Sequence, residues 1–308
     1  EAERRRLQSI LNSVGDGVYG VDREGRVTFA NPAACQALAY EQEELLIGRP
    51  AHEAFHYADE AGTPIAPLAS LLNTAYGSRQ VVRAWETVFW TRDGRCIPVE
   101  CTVYPLYVRG NHEGSVVAFR DISERKALEE RLRWQATHDP LTELFNRRYF
   151  EEQLEQEQLW RKRYPGHSAL LYLDLDHFKY INDTAGHSAG DTLLMQVGHR
   201  LEDRLRKTDI LARLGGDEFA VIMRSVDPQE IERVADTFRT AITECDFTLE
   251  GKIFKLAASI GVALFDAGAQ SPGDILVDAD IACYIAKAQG GNFGGNGVAQ
   301  RVFLLPIH

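Results

Sequence analysis

Apolar and polar residues alternate in short segments along roughly the first 120 residues, with glycine-containing turns between the segments. Residues 17–22 and 27–30 flank one such turn, and this arrangement predicts a β-hairpin. Asn31 followed by Pro32 predicts the start of a helix, with asparagine as the cap and proline in the first turn. Three further strands with intervening turns are predicted at residues 85–91, 96–108 and 114–120.

A different pattern begins at about residue 138, where helical segments surround continuous apolar stretches. Residues 169–173 are all apolar, which is typical of a strand buried on both faces. Further strands are predicted at residues 211–213, 219–223 and 256–265, of which the first two form a hairpin. Helices are predicted after Gly190 and over residues 228–245 and 274–287. The resulting βαββαβ order predicts a sheet covered by helices, in an α+β or α/β fold.

The segment between these two regions, residues 121–136, carries alternating charges around Ile122, Leu128 and Leu132. This pattern predicts a solvated helix, with Asp121 and Glu124 as a capping box. Two interpretations stay open: a simple spacer helix, or a short parallel coiled coil that pairs two chains.

Composition narrows the possible functions. The chain has 308 residues, of which 44% are apolar and 26% charged, as expected of two folded domains. The net charge of −11 argues against general binding to duplex nucleic acid, which needs a basic face. The five cysteines form no CxxC pair, so neither a zinc site nor a disulfide framework is indicated. No membrane span or signal peptide is evident, and the chain, which lacks an initial methionine, could be a fragment.

The candidate chemistry lies in two acidic segments. Asp174 and Asp176 end the buried strand and lie two residues apart, hence on one face of the sheet. Gly215 and Gly216 precede Asp217 at the tip of the predicted hairpin, where glycine permits a tight turn. If strand and hairpin are neighbours, Asp174 and Asp217 would repel each other unless divalent cations such as Mg²⁺ or Mn²⁺ lay between them. Taken singly, a strand-end cap and a surface hairpin are the ordinary alternatives.

Longer motifs resemble two known families. "DGVYGVDREGRVTFANPAACQALAY" and "GSVVAFRDISERK" resemble a PAS domain. "LTELFNRR", "DLDHFKYINDTAGHSAGD", "ARLGGDEFAVIM", "ASIGVALF" and "ADIACYIAK" resemble a GGDEF domain of the diguanylate cyclase family. The resemblance implies an α+β protein: a PAS domain with a five-stranded antiparallel sheet (1–120), a helical linker (121–137) and a palm-like GGDEF domain (138–308). It implies a cytoplasmic enzyme that condenses two GTP molecules into cyclic di-GMP and pyrophosphate under control of the PAS domain.

The same resemblance implies roles for individual residues. Asp174, Asp217 and the backbone carbonyl of Leu175 would hold two Mg²⁺ or Mn²⁺ ions per active site, with Asp217 as a possible proton acceptor. Glu218 would assist metal binding or proton removal. Because an amide both donates and accepts, and a carboxylate accepts, such groups suit the guanine edge. The candidate substrate contacts, from the base to the phosphates, are Asn182, Asp191, His187, Phe178, Lys179 and Lys287.

Regulation is implied by Arg206 and Asp209, which form an RxxD pattern with five residues between Asp209 and Gly215. In the family this spacing marks an inhibitory site for cyclic di-GMP, whereas a surface ion pair is the ordinary alternative. The expected partners are GTP, cyclic di-GMP and a second copy of the chain, paired through the linker and the PAS domain. Neither nucleic acid nor a membrane is expected to contact this chain, although the full-length protein could be attached to a membrane.

One position departs from the family pattern, because Gly291 stands where an arginine usually contacts the phosphates. An alternative function is therefore a GGDEF domain that binds GTP with little turnover and regulates an attached phosphodiesterase domain of the EAL type. The PAS ligand is unknown. His52, His56 and His112 are candidates for haem, with local hydrogen bonding the favoured interpretation.

Overall fold

The computed structural model describes residues 15–77, 80–243, 246–249, 252–268, 271–290 and 302–305. The chain divides into two compact units, Glu1–Glu130 and Arg131–His308. Among the described residues, no helix is both long and apolar enough to cross a lipid bilayer. Gly291, which was discussed from the sequence, lies outside the described residues.

The first unit contains one antiparallel sheet of five strands in the order β2-β1-β5-β4-β3. Its strands are β1 (Gly17–Val21), β2 (Val27–Ala30), β3 (Val82–Trp90), β4 (Cys96–Val108) and β5 (Asn111–Asp121). Its helices are α1 (Pro32–Ala37), α2 (Ala51–Phe55) and α3 (Leu71–Tyr76), with 3₁₀ turns at Glu43–Leu45 and Pro67–Ala69. The five-stranded antiparallel sheet is the one predicted from the sequence.

Asn31 shows how the sequence sets the start of α1. Its Oδ1 accepts hydrogen bonds from the backbone N–H of Ala34 and of Val18, both at 2.8 Å. The side chain therefore caps the helix and also ties it to β1. The predicted asparagine cap is thus present, with a second role in packing.

A buried chain of hydrogen bonds crosses the core of the first unit. His52 Nδ1 lies 3.1 Å from His56 Nδ1, and His52 Nε2 lies 2.8 Å from the carbonyl of Ile65. His56 Nε2 contacts the Tyr76 hydroxyl at 3.1 Å, which in turn contacts the Tyr19 hydroxyl at 2.9 Å. Each ring nitrogen of both histidines thus has a protein partner, in agreement with local hydrogen bonding. Burial, with a contribution from nearby His52, lowers the pKa of His56 to about 3.

The segment predicted as a linker contains the helix α4 (Ser123–Thr137). Asp121 Oδ1 accepts from the N–H of Ser123 at 2.8 Å, so it bonds one residue earlier than the predicted capping box with Glu124 requires. Leu128 and Leu132, one helical turn apart, are 57% and 56% exposed. Within this single chain, these two apolar side chains remain largely accessible to solvent.

The second unit is built on a six-stranded sheet in the order β13-β12-β7-β9-β8-β6, with a separate hairpin of β10 and β11. Its strands are β6 (Phe145–Asn146), β7 (Ser168–Asp176), β8 (Ile210–Gly215), β9 (Glu218–Met223), β10 (Asp246–Leu249), β11 (Lys252–Lys255), β12 (Ala257–Phe265) and β13 (Val302–Leu305). Its helices are α5 (Arg147–Arg163), α6 (Phe178–Ala185), α7 (His187–Glu202), α8 (Ile231–Thr243) and α9 (Pro272–Gly290). The predicted βαββαβ core is present, whereas α6, β6, β13 and the β10–β11 hairpin were not predicted.

The central strand β7 is antiparallel to β12 on one side and to β9 on the other. Its side chains alternate between two buried clusters, so that Leu173 packs in one and Tyr172 in the other. Asp174 and Asp176 therefore project on the face of Tyr172, which α9 covers. This arrangement carries the two carboxylates to the end of the sheet next to the last turns of α9.

Gly261 on β12 brings α9 unusually close to the sheet. A Cβ atom at this position would lie 2.1 Å from the carbonyl oxygen of Ala279 and 2.1 Å from the amide nitrogen of Cys283. The Cys283 thiol also donates to the carbonyl of Ser259 at 3.3 Å. Backbone-to-backbone packing thus fixes the height of α9 above the sheet.

Candidate active site

The carboxylates predicted from separate segments meet at the end of β7. Asp174 is paired in register with Glu218 on β9 and with Ser259 on β12. The amide N–H of Leu175 donates to the carbonyl of Asp217 at 3.3 Å. The hairpin tip therefore closes against the strand end that carries Asp174.

The hairpin tip contains two glycines in backbone conformations that other residues rarely adopt. Gly215 has φ of 147° and Gly216 has φ of 53°. The carbonyl of Gly216 accepts from Arg213 Nη2 at 2.8 Å, and the carbonyl of Leu214 accepts from Arg147 Nε at 3.2 Å. Both arginines thus hold backbone carbonyls of the turn that carries Asp217.

Lys287 supplies a positive charge to this cluster. Its Nζ lies 2.6 Å from Asp174 Oδ1 and 4.0 Å from Asp176 Oδ1. Burial disfavours the charged lysine, but the contact with Asp174 outweighs burial and raises the pKa of Lys287. Burial and then the charge of Asp174 raise the pKa of Asp217. The site thus holds more negative charge than its single lysine neutralises.

Glu218 has partners that the sequence did not reveal. Arg147 Nη2 lies 3.6 Å from Glu218 Oε2, and the Tyr172 hydroxyl is hydrogen-bonded to the same carboxylate. Burial and this bond raise the pKa of Tyr172. In the sequence, Arg147 belongs to the "NRR" motif and Tyr172 interrupts a run of aliphatic residues. The sequence does not show that Arg147 and Tyr172 contact Glu218, because the position of the hairpin beside them is known only from the structure.

The donor set at this strand end is suited to a hard divalent cation. It comprises two carboxylates, Asp174 and Asp217, that are close enough for one to raise the pKa of the other, together with the backbone at Leu175. Over the described part of the chain, no group of three or more His, Cys, Asp or Glu side chains could hold a metal alone. Mg²⁺ commonly binds through one or two carboxylates, with waters and substrate phosphates as the other ligands. The residues therefore fit a divalent cation whose remaining ligands are waters or substrate phosphates.

A second group of predicted residues meets where α6 and α7 pack together. Asn182 Oδ1 is buried without a hydrogen-bond partner. A Cβ atom on Gly190 would lie 1.9 Å from this oxygen, so Asn182 packs directly on the glycine that precedes Asp191. Asp191 and His187 are both exposed. An unsatisfied buried acceptor is costly, and a ligand N–H would satisfy it.

The remaining candidate substrate contacts lie at the first turn of α6. His177, the residue before this helix, has φ of 62°, and Phe178 is 9% exposed, while Lys179 is exposed. The helix therefore begins two residues after Asp176, with the N–H groups of its first turn near the carboxylate cluster. Such an N-terminus favours an anion such as phosphate.

Arg206 and Asp209 form a tight local turn. The amide of Arg206 donates to Asp209 Oδ2 at 3.1 Å, and the amide of Asp209 donates to the carbonyl of Arg206 at 3.0 Å. The Arg206 side chain is exposed at a cavity of about 510 Å³. The cavity is lined by Gln156, Glu157, Trp160, Arg161, Arg206, Thr208, Arg224 and Ser225. Asp209 is not among these lining residues, and its Oδ2 accepts the hydrogen bond from the Arg206 amide.

Comparison with known proteins agrees with this geometry. The sequence profile described as "Diguanylate cyclase, GGDEF domain" matches residues 136–293, and that of the PAS fold matches residues 5–122. The chain is 34% identical over 292 residues to the probable diguanylate cyclase DgcE of Escherichia coli (strain K12), covering 94% of this chain and 26% of DgcE. It is 40% identical over 156 residues to the diguanylate cyclase TpbB of Pseudomonas aeruginosa (strain UCBPP-PA14), covering 50% of this chain and 36% of TpbB.

A solved structure of similar fold is that of the coiled coil and GGDEF domain of DgcB from Caulobacter crescentus in complex with c-di-GMP. The likeness has a TM-score of 0.53 at 26% identity and covers 60% of this chain and 93% of that chain. The present chain spans 26% of the length of DgcE and 36% of that of TpbB.

Proposed function

The chain belongs to the GGDEF family of diguanylate cyclases and carries a PAS fold ahead of that domain; on this premise we propose that it condenses two GTP molecules into cyclic di-GMP and pyrophosphate. The observation that carries the proposal is the meeting of Asp174 and Asp217 at one strand end, with Lys287 at 2.6 Å from Asp174. Three charged groups from distant segments converge there beside a helix N-terminus.

Different residues of the chain are assigned to binding the metal, the phosphates and the guanine base. Asp174, Asp217 and the carbonyl of Leu175 hold Mg²⁺ or Mn²⁺. When bound, the two metal ions lower the pKa of the attacking 3′-hydroxyl and offset charge on the phosphates. Lys287 and Lys179, with the backbone amides at Phe178, bind the phosphates.

Guanine recognition is assigned to the contact between α6 and α7. Asn182 Oδ1, a buried acceptor without a partner, takes a hydrogen bond from the base, and the carboxylate of Asp191 accepts from the guanine N1 and N2 hydrogens. His187 lines the same side of the site. Because the groups are held by two packed helices, they orient the nucleotide before reaction.

Proton removal from the attacking hydroxyl is assigned to Asp217 at the hairpin tip. Its carboxylate lies beside Asp174, at the strand end where the metal and the attacking hydroxyl would meet. The Glu218 carboxylate is held by Tyr172 and Arg147. We assign it to orienting the hairpin tip next to Asp217.

Each GGDEF domain offers one nucleotide site, so the two GTP molecules must be brought together by two copies of the chain. We assign the pairing to the linker helix and the PAS domain. The support on the linker is the pair Leu128 and Leu132, which lie on one helix face and are largely exposed in a single chain. The signal that acts on the PAS domain would then be transmitted through α4.

Product feedback is assigned to the RxxD turn. Arg206 lies at a cavity of about 510 Å³ that also contains Arg224 and Trp160. An arginine can bind phosphate or guanine in a two-pronged manner, and an indole can stack on a base. These groups fit the chemistry of a cyclic dinucleotide.

The alternative function, a GTP-binding domain that regulates an attached phosphodiesterase domain, is favoured by one observation. Gly291 replaces a cation expected at the phosphates, and the loss of a charged hydrogen bond weakens binding by about 1.5–3 kcal/mol. The test is incubation of the purified protein with GTP and Mg²⁺, followed by chromatography for cyclic di-GMP. Bound GTP without product, at concentrations that form dimers, would favour the alternative.

A further inference from the structure

Lys287 lies between the carboxylates of Asp174 and Asp176 and is closer to Asp174. Its Nζ is 2.6 Å from Asp174 Oδ1 but 4.0 Å from Asp176 Oδ1. The Asp176 carboxylate is in turn fixed by the Ser259 hydroxyl, which lies 3.1 Å from Oδ1 and 3.2 Å from Oδ2. Lys287 is therefore paired with Asp174, the carboxylate that the proposed function assigns to the metal. Asp176, a second carboxylate that Ser259 already orients, lies next to this pair.

We infer that Asp176 is a positioning residue, to which Lys287 transfers when a divalent cation takes Asp174. The inference rests on the proposed function, because it needs a metal at Asp174. A cation on Asp174 repels the lysine ammonium, and the nearest other anion for that ammonium is Asp176. To reach Asp176 as closely as it now reaches Asp174, the ammonium would have to move about 1.4 Å nearer, the difference between 4.0 Å and 2.6 Å.

The packing of α9 allows this transfer and restricts larger movement. Cys283 and Lys287 lie one helical turn apart on the same face of α9. Cys283 is held to the carbonyl of Ser259, the same residue whose hydroxyl fixes Asp176. These contacts hold α9 against β12, and the transfer needs only the flexible end of the lysine side chain to move. The lysine remains at the site, ready to meet a phosphate.

The inference separates two roles that a carboxylate near a metal can have. If Asp176 acts directly, as a ligand or through its own charge, its removal weakens metal binding whether or not Lys287 is present. If it acts by accepting Lys287, its removal weakens metal binding only while Lys287 competes for Asp174. A double-mutant cycle measures this difference.

The test is the affinity of Mn²⁺ alone, without nucleotide, measured by electron paramagnetic resonance on the full chain. The four proteins are the unsubstituted chain, Asp176→Asn, Lys287→Met and the double variant. Asp203→Asn, which removes an exposed carboxylate at the end of α7, is the matched control. Circular dichroism and thermal unfolding establish that each variant is folded.

We expect Asp176→Asn to weaken Mn²⁺ binding roughly three- to tenfold, in the range of coupling between contacting groups. In the Lys287→Met background the same substitution is expected to have no effect beyond that of Asp203→Asn. Equal weakening in both backgrounds would overturn the inference, as would an unchanged affinity in Asp176→Asn. Ser259→Ala, which keeps the charge of Asp176 but frees its carboxylate, is expected to give a smaller loss that also requires Lys287.

The outcome is independent of turnover. If the protein binds Mn²⁺ with the expected coupling but forms no cyclic di-GMP, the inference stands and the cyclase proposal fails. If the protein forms cyclic di-GMP without the coupling, the cyclase proposal stands and the role of Asp176 fails. Absence of Mn²⁺ binding in the unsubstituted chain would overturn the role of Asp176 as well.

Discussion

The side-chain oxygen of Asn182 rests against the backbone of Gly190, so closely that a Cβ atom on the glycine would lie 1.9 Å from it. The oxygen is buried and has no hydrogen-bond partner in the protein. The contact thus joins a small residue on α7 to an unsatisfied acceptor on α6. A side chain at position 190, next to Asp191, would therefore displace the Asn182 amide.

Gly190→Ala should therefore weaken GTP binding about tenfold, because the added methyl group displaces Asn182 at the cost usual for overpacking. Mn²⁺ binding without nucleotide should be unchanged. Isothermal titration calorimetry with GTP and Ca²⁺ measures the affinity for GTP. Gly198→Ala on the same helix is the control, since its Cβ would lie 3.2 Å from the flexible Leu144 side chain. Equal GTP affinity in the two variants would refute the guanine assignment.

Asp217→Ala should reduce cyclic di-GMP synthesis to below about one thousandth of the unsubstituted rate, as expected for a group central to catalysis. The fold should be retained, because the side chain lies at a turn and its removal relieves repulsion with Asp174. The rate of cyclic di-GMP synthesis and the thermal unfolding of the variant are measured on the same preparation. Full activity in the variant would remove Asp217 from the metal site.

Arg206→Ala should relieve product inhibition. The inhibition constant for cyclic di-GMP should rise about tenfold or more, since a hydrogen bond from a charged group contributes about 1.5–3 kcal/mol. The backbone bonds of the turn do not involve the arginine side chain, so the turn should persist. Asp209→Ala is a poorer test, because it removes the cap of the turn. An unchanged inhibition curve in Arg206→Ala would argue against the feedback site.

The stability of the first unit should fall with acidification. The pKa of His56 is about 3 when folded and near 6.5 when unfolded, so the unfolded chain binds the extra proton between these values. The contribution of His56 to the free energy of unfolding is fully present above about pH 6.5. It decreases by about 1.4 kcal/mol for each pH unit as the pH falls toward 3. Hydrogen exchange of the peptides around residues 52–76 measures this dependence. His56→Gln should lose it, and an identical slope in that variant would contradict the assignment.

The sequence predicted the parts of the site that local patterns encode. The apolar run of β7 ends in Asp174 and Asp176, and the paired glycines mark the hairpin tip. The short helix α6 was missed because it has eight residues and contains Asn182, Asp183 and Thr184, which are weak helix formers. The ion pair of Lys287 with Asp174 joins residues 113 positions apart, and no local pattern encodes such a contact.

The same limit applies to the residues that hold the hairpin tip. Arg147 and Tyr172 contact Glu218 only because α5 and β7 pack beside β9. The sequence pattern likewise did not reveal that the Asp209 carboxylate accepts from the backbone amide of Arg206 within its own turn. Tertiary packing decides these contacts, so they could not be read from spacing alone.

The most direct test of the central proposal is product formation by the purified chain. The protein is incubated with GTP and Mg²⁺ over a range of protein concentrations, and cyclic di-GMP is quantified by liquid chromatography with mass spectrometry. The account predicts cyclic di-GMP and pyrophosphate, with a rate per chain that increases with protein concentration as two copies meet. GTP that stays bound and unconverted at every concentration, in the presence of Mg²⁺, would contradict it.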